Sequence, residues 1–407
     1  MSRSRVLFLL GIAFTLGMIF SAVLDLKQLY LDLKPVGRYF PLSNGTGTDP
    51  VAPNWLRPRC DDVLGKMTTG HWQRRDVTPE EIMKMKTFLK QVRREKKMPE
   101  GLDRADKKCG NVSLPGVSGW IRALCDADGD TPCCYDNVCV NKSTEQCKCS
   151  NCVDLRQVIH AEHATWRPDD PSCQLQQMSV KEMCQLLGGV RLYFIGDSLV
   201  RHLYTAFLLA LRGNEMTGAL RDDTPKNVTA ACTGLYMFTE KLCRMWVNTT
   251  ATVCDGRVWL KLFYYYQVRH AKSIRGAVVQ MNNSGRGIVL MGFGLHERLN
   301  STAVQTRILA PLMKIPQLDV RRLVWLAIHC PGLMKAPHRG QGPDDVLSFN
   351  RNLAQFWSAY NVAIFDSFNM TDGVTSFDGT HYGLGVNRAK VQVLMHYFRT
   401  LAAQRLW

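Results

Sequence analysis

At 407 residues, 46% hydrophobic and 21% charged, the chain is long enough for two or three folding units, which excludes intrinsic disorder and a small scaffold held by disulfides alone. Its 51 Lys and Arg against 35 Asp and Glu give a formal charge of +16. That excess gathers on no single element with interleaved aromatics, which argues against nucleic acid as a partner. It serves either simple solubility or attraction to acidic partners such as anionic glycans, phosphate-bearing donors or a membrane surface.

Val6 to Leu24 runs without a charge and is long enough to span a hydrocarbon core as a helix. Arg3 and Arg5 precede it, so the positive-inside rule keeps residues 1–5 cytoplasmic and sends the rest of the chain into a lumen, a single-pass type II arrangement. A cleaved signal peptide is the rival, but Phe20 stands where a small residue is wanted and the apolar run is long for such a peptide. Residues 25–58, rich in Pro, Gly, Ser and Thr, read as a stem. Sequons at Asn44, Asn111, Asn141, Asn227, Asn248, Asn282, Asn300 and Asn369 are the expected glycosylation sites of a lumenal chain. The 15 cysteines suit an oxidising compartment, and their odd number leaves a thiol free or available for an intermolecular disulfide.

Residues 59–185 form a Cys-rich lumenal region. At its start Thr78 and Glu81 make a capping box with Pro79 at the first helical position, and Ile82, Met85, Leu89 and Val92 make one apolar stripe, while Lys96 and Lys97 read as a solvated basic face. Cysteines crowd from Cys109 to Cys152 among polar residues that build no core, so disulfides are expected to supply the order. Zinc on Cys147, Cys149 and Cys152 is the sharper alternative, set aside because paired C-x₂-C blocks are absent; no metal is expected. Asp126-x-Asp128-x-Asp130 resembles the D-x-D of nucleotide-sugar glycosyltransferases or the start of a calcium loop. Asn137 stands where a calcium loop needs glutamate, and an Asp-rich turn is the better reading.

From 186 to 407 the texture changes. Apolar runs at Val190–Ile195, Val258–Tyr266, Ile288–Phe293, Leu323–Ile328 and Val362–Phe365 alternate with helical stretches after Ser198, around Ser301–Met313, from Asp345 to Tyr360 and from Gly385 onward. That alternation predicts an α/β domain, a parallel sheet covered by helices on both faces.

The first run ends in Gly196-Asp197-Ser198, which places Ser198 past a strand's carboxyl end and at a helix N-terminus, where free N–H groups favour a developing oxyanion. Val200 occupies the second glycine position of the G-x-S-x-G elbow, so this is not that motif. Past the last strand, Asp378-x-x-His381 gives a carboxylate spaced to orient an imidazole, with Gly379 permitting the turn. Ser198, Asp378 and His381 are the expected catalytic triad, in which His381 deprotonates the serine.

These two motifs resemble the SGNH/GDSL fold. More narrowly, Trp166-Arg-Pro, Cys173-Gln-Leu and Arg191-Leu-Tyr-Phe-Ile-Gly-Asp-Ser-Leu-Val-Arg201 resemble the PC-esterase group, which includes trichome-birefringence-like polysaccharide O-acetyltransferases of plants and the sialate O-acetyltransferase of animals. The resemblance runs roughly from Cys125 onward. It implies an SGNH-like parallel sheet of about five strands, a Golgi location, and a serine that carries an acetyl group to a sugar hydroxyl.

The chain departs from the group's pattern where His202 and Tyr382 stand in place of the Asn and Trp of plant members. The third strand's exit reads Gly292-Phe-Gly294-Leu-His296-Glu297 in place of the asparagine of the SGNH pattern. Gly294 and His296 are therefore candidate oxyanion or substrate contacts. Arg201, one turn after Ser198, either faces the site in place of that amide or pairs with a surface carboxylate.

The expected activity is serine-dependent O-acyl transfer to glycan or polysaccharide hydroxyls. No cofactor is expected to stay bound, and the donor is open between acetyl-CoA and another acetyl carrier. A carbohydrate O-acetylesterase with the same triad, a catalytically silent glycan-binding protein on this fold, and a glycosyltransferase using Asp128 and Asp130 are the alternatives.

Overall fold

The computed structural model describes residues 60–114, 121–239, 241–336 and 340–404. The proposed anchor at 6–24, the stem at 25–58 and the sequon at Asn44 lie outside them. Among the described residues no helix is long and apolar enough to cross a membrane.

A mixed α/β architecture surrounds a six-stranded sheet, ordered Ala363–Phe365, Leu323–Leu326, Gly287–Gly292, Arg191–Gly196, Val258–Phe263 and Thr250–Val253. The first five of these run parallel, and Thr250–Val253 is an antiparallel edge. Numbered along the chain, the parallel strands stand in the order 2-1-3-4-5, a doubly wound arrangement that reverses direction between the first and the third.

Central strands are apolar throughout because helices cover both faces, and successive side chains feed different cores. Leu192 and Phe194 join Phe207, Val391 and Leu394, from the helices Ser198–Arg212 and Leu384–Ala403. Tyr193 and Ile195 join Ile274, Leu309 and Phe349 on the opposite face, with the helices Ala271–Asn282 and Pro343–Ser358. Both the Thr250–Val253 strand and the Ala271–Asn282 helix add to the elements the sequence predicts. Thr-Ala-Thr-Val is short and half polar, and Gly276 interrupts an uncapped helical pattern.

The Thr78–Glu81 capping box forms, with Glu81 N–H donating to Thr78 Oγ1 at 3.2 Å and Thr78 N–H to Glu81 Oε2 at 2.9 Å. Met85, Leu89 and Val92 of this helix, Pro79–Glu95, enter the same core as the Ser198 helix, whereas Ile82 is 39% exposed. Phe88, between the stripe positions, packs edge-on against Tyr236 and Phe377, with ring centroids 5.0 and 4.9 Å apart.

Disulfides join Cys60 to Cys173, Cys109 to Cys134, Cys125 to Cys139, Cys133 to Cys147, Cys149 to Cys152, Cys184 to Cys254 and Cys232 to Cys243. The sulfurs that could have held zinc are thereby consumed. Cys330 keeps a free, buried thiol. Peptide mapping without reduction is expected to recover these pairs with Cys330 alone alkylated after unfolding; stoichiometric zinc in the purified protein would contradict the pairing. Asp126, Asp128 and Asp130 lie in a turn where Asp126 Oδ1 accepts the Asp128 N–H at 3.0 Å and Asp128 pairs with Lys86 at 2.8 Å.

Candidate active site

Ser198 opens its helix directly after the first parallel strand, on the carboxyl edge where the strand order reverses. Asp197 caps that helix, accepting the Leu199 N–H at 2.9 Å. Burial raises the Asp197 pKa. Ser198 itself is recessed, at 8% exposure.

The segment after the last strand returns to this edge through the Asp378–His381 turn. Gly379 sits there at φ +79, and a Cβ would lie 2.6 Å from the Lys335 nitrogen, so a side chain is excluded twice over. Asp378 Oδ1 accepts the backbone N–H of Thr380 at 3.0 Å and of His381 at 2.9 Å. His381 Nδ1 stands 2.9 Å from Asp378 Oδ2, and its Nε2 stands 2.7 Å from Ser198 Oγ. A carboxylate only accepts, so Nδ1 carries the proton and Nε2 is left to take one from the serine.

Burial alone would raise the Asp378 pKa, but His381 and Lys96 outweigh it and hold the group well below the usual carboxylate range. Lys96 caps the far end of the Pro79–Glu95 helix and forms an ion pair with Asp378 Oδ2. The sequence reading assigned Lys96 to a solvated face; the fold turns it onto the candidate triad.

Arg201, one turn after Ser198, is buried at 4% exposure. His202 packs its ring 5.1 Å from that of His381 and has Nδ1 3.3 Å from the Tyr382 carbonyl. Tyr382 donates its hydroxyl to the carbonyls of Cys330 at 2.7 Å and Thr371 at 3.1 Å, which anchors the residue following His381. Gly294 lies on the exit of the third parallel strand at φ +152, where a Cβ would meet Phe349 at 2.4 Å. His296 is exposed beside it, its ring 4.6 Å from that of Tyr266.

Behind the triad turn, His329 Nε2 lies 2.7 Å from the Thr380 carbonyl and its Nδ1 lies 3.0 Å from Lys390 Nζ. The carbonyl requires Nε2–H, so Nδ1 accepts from the lysine. Burial pushes the Lys390 pKa down to about 7, only partly opposed by Asp366. Burial and the Lys390 charge both lower that of His329.

Neither His329 nor Lys390 was singled out from the sequence. The signal existed: Lys390 interrupts the apolar stripe Val386, Ala389 and Val393, and His329 lies just past a strand exit. Asp366, just past the last strand, interacts electrostatically with Lys390 and accepts the Phe368 N–H at 2.9 Å.

The unfolded chain keeps Lys390 protonated up to about pH 10.5 while the folded chain releases that proton near 7. Stability from this residue therefore rises with pH across that window and is lost as pH falls toward 7. In Lys390→Met, the stability difference from the parent should become steadily less favourable from pH 7 to 10, by several kcal/mol at most. Denaturant titrations at several pH values check this, and a pH-independent difference would contradict it.

Of the sequons within the described residues, Asn111, Asn141, Asn227, Asn300 and Asn369 are exposed. Asn248 and Asn282 are half-buried, and the Asn282 amide donates to the Gln317 carbonyl at 3.3 Å. No protein-family model matches the chain, and no curated protein matches it.

Proposed function

We propose that the protein is a serine-dependent O-acyltransferase, most simply an O-acetyltransferase, acting on glycan hydroxyls in the lumen of the secretory pathway. The observation that carries this reading is the hydrogen-bonded series from Ser198 Oγ through His381 to Asp378, with Oγ to Nε2 at 2.7 Å and Nδ1 to carboxylate at 2.9 Å. It stands at the edge of an open sheet where such folds bind ligands. The SGNH-like resemblance supports the same reading, and the disulfides support an oxidising compartment.

In this mechanism His381 Nε2 takes the Ser198 proton as Oγ bonds to the carbonyl carbon of an acetyl ester or thioester. Collapse expels the alcohol or thiol, which leaves with the proton from His381, and acetyl-Ser198 remains. A glycan hydroxyl then gives its proton to His381 and attacks the acyl carbon, releasing Ser198. Asp378, kept ionised, holds the tautomer and stabilises the imidazolium in both steps. In this reading the Ser198 N–H at the helix start and the Gly294 backbone at the third strand's exit serve as the oxyanion donors.

An esterase would follow the same first step with water as acceptor. Incubating the lumenal domain with an activated acetyl ester, with and without glycan acceptors, separates the two. The proposal expects acetylated glycan to form at the expense of free acetate. Acetate alone, unchanged by any acceptor, would make the protein an esterase.

A further inference from the structure

A cavity of about 1040 Å³ opens between one face of the Pro79–Glu95 helix, the disulfide-rich region and the loop 374–376 that precedes Asp378. Its volume sits at the top of the range for small-molecule sites, ample for several linked sugars. Ile82, Met85 and Leu89 form an aliphatic wall, faced by Leu124, Leu155 and Met334.

The cations around it fall into two kinds. Lys86, Lys90 and Arg75 are matched by Asp128, Glu100 and Glu81. Arg74 and Arg93 donate instead to carbonyl oxygens, of Arg156 at 2.9 Å and Glu100 at 2.5 Å, which leave their charges uncompensated. Arg93 Nε and His160 Nδ1 are buried with no hydrogen-bond partner. Burial, and after it the charges of His163, Arg74 and Arg93, push the His160 pKa down to about 4 against the opposing charge of Asp128. Guanidiniums without an ion-pair partner beside unsatisfied buried polar atoms are what an anion would relieve.

Among the described lining residues none is Phe, Tyr or Trp. Charge and hydrogen bonding, more than large aromatic stacking surfaces, are therefore the means of recognition there.

We propose that this cavity binds an acidic oligosaccharide, a sulfated or uronate-bearing chain, whose anionic groups meet Arg74, Arg93, His160 and His163. The assignment deepens the glycan-directed reading above and rests on it for the biological sense of the ligand. It would place the acceptor's acidic arm against the loop that leads to Asp378, alongside the helix whose last cap, Lys96, pairs with that carboxylate.

The test is equilibrium binding to the full chain in detergent micelles, with a uniformly sulfated hexasaccharide, its desulfated counterpart and coenzyme A as probes. The sulfated probe is expected to bind, the desulfated one at least about tenfold more weakly, and Arg74→Gln and Arg93→Gln each to lose roughly tenfold. Arg74 is exposed, so its variant keeps the test valid should the Arg93 variant fold poorly.

Equal binding of the neutral probe, no binding of the sulfated one, unchanged affinity in the arginine variants, or tighter binding of coenzyme A at this cavity would each overturn the assignment. Binding is also measured in Ser198→Ala, where it should equal the parent's. Binding without any acylation of the parent retires the transferase reading and keeps the cavity's role; acylation without binding does the reverse.

Discussion

Ser198→Ala is expected to abolish covalent labelling by a fluorophosphonate and all acyl transfer, while the melting temperature stays close to the parent's. The reagent reports an oxygen nucleophile activated by a base, and Ser198 Oγ is placed for that activation by His381 Nε2 at 2.7 Å. Its removal deletes one hydrogen bond in a recessed position and leaves the Asp197 helix cap intact, so the stability cost should be about 1 kcal/mol. Turnover should fall by on the order of 10⁶, the scale seen when a serine nucleophile is removed from a hydrolase triad. Labelling that persists in a folded Ser198→Ala protein would refute this residue as nucleophile.

Asp378→Asn should lower turnover by about 10⁴, because an amide can donate to Nδ1 and favour the tautomer that cannot accept the serine proton. The structure changes what else is expected of this variant. From the sequence alone the substitution should barely affect stability, but Asp378 also accepts two backbone N–H groups of its own turn and pairs with Lys96. Losing the charge should therefore cost about 1–3 kcal/mol as well. Because the folded carboxyl titrates well below 3.8, this contribution is fully present above about pH 4 and is lost as pH falls through the folded value.

A melting drop alone no longer discriminates between a catalytic and a structural role. Lys96→Met separates them: it removes the ion pair but keeps the carboxylate on His381, so it should lose stability with turnover held within about tenfold. If Asp378→Asn kept near-normal turnover per folded molecule, Asp378 would leave the mechanism.

Much of this arrangement was legible because short apolar runs such as Ile288–Phe293, alternating with helical stretches, fit buried parallel strands, and because Gly-Asp-Ser stands at a strand exit while D-x-x-H follows the last strand. The expected parallel sheet flanked by helices is present, together with the disulfides. What stayed hidden was long-range. Nothing local at Lys96 announces a partner 282 residues away, and its neighbours Arg94 and Lys97 make it look like part of an ordinary basic face. Thr250–Val253 escaped because an edge strand needs only one apolar face, and its burial alternates accordingly. Lys390 and His329 were readable in principle as polar residues on an apolar stripe and at a strand exit. Their hydrogen bond becomes visible only when the last helix packs under the sheet's edge.

The central claim is a covalent acyl-Ser198 intermediate. Intact-mass and peptide analysis after rapid acid quench of the parent with an activated acetyl ester tests it most directly. The account predicts one added acetyl group on the peptide carrying Ser198, discharged when a glycan acceptor is supplied and absent from Ser198→Ala. Turnover of the ester with no acetyl on Ser198 at any quench time, or with acetyl on another residue that remains in Ser198→Ala, would contradict it.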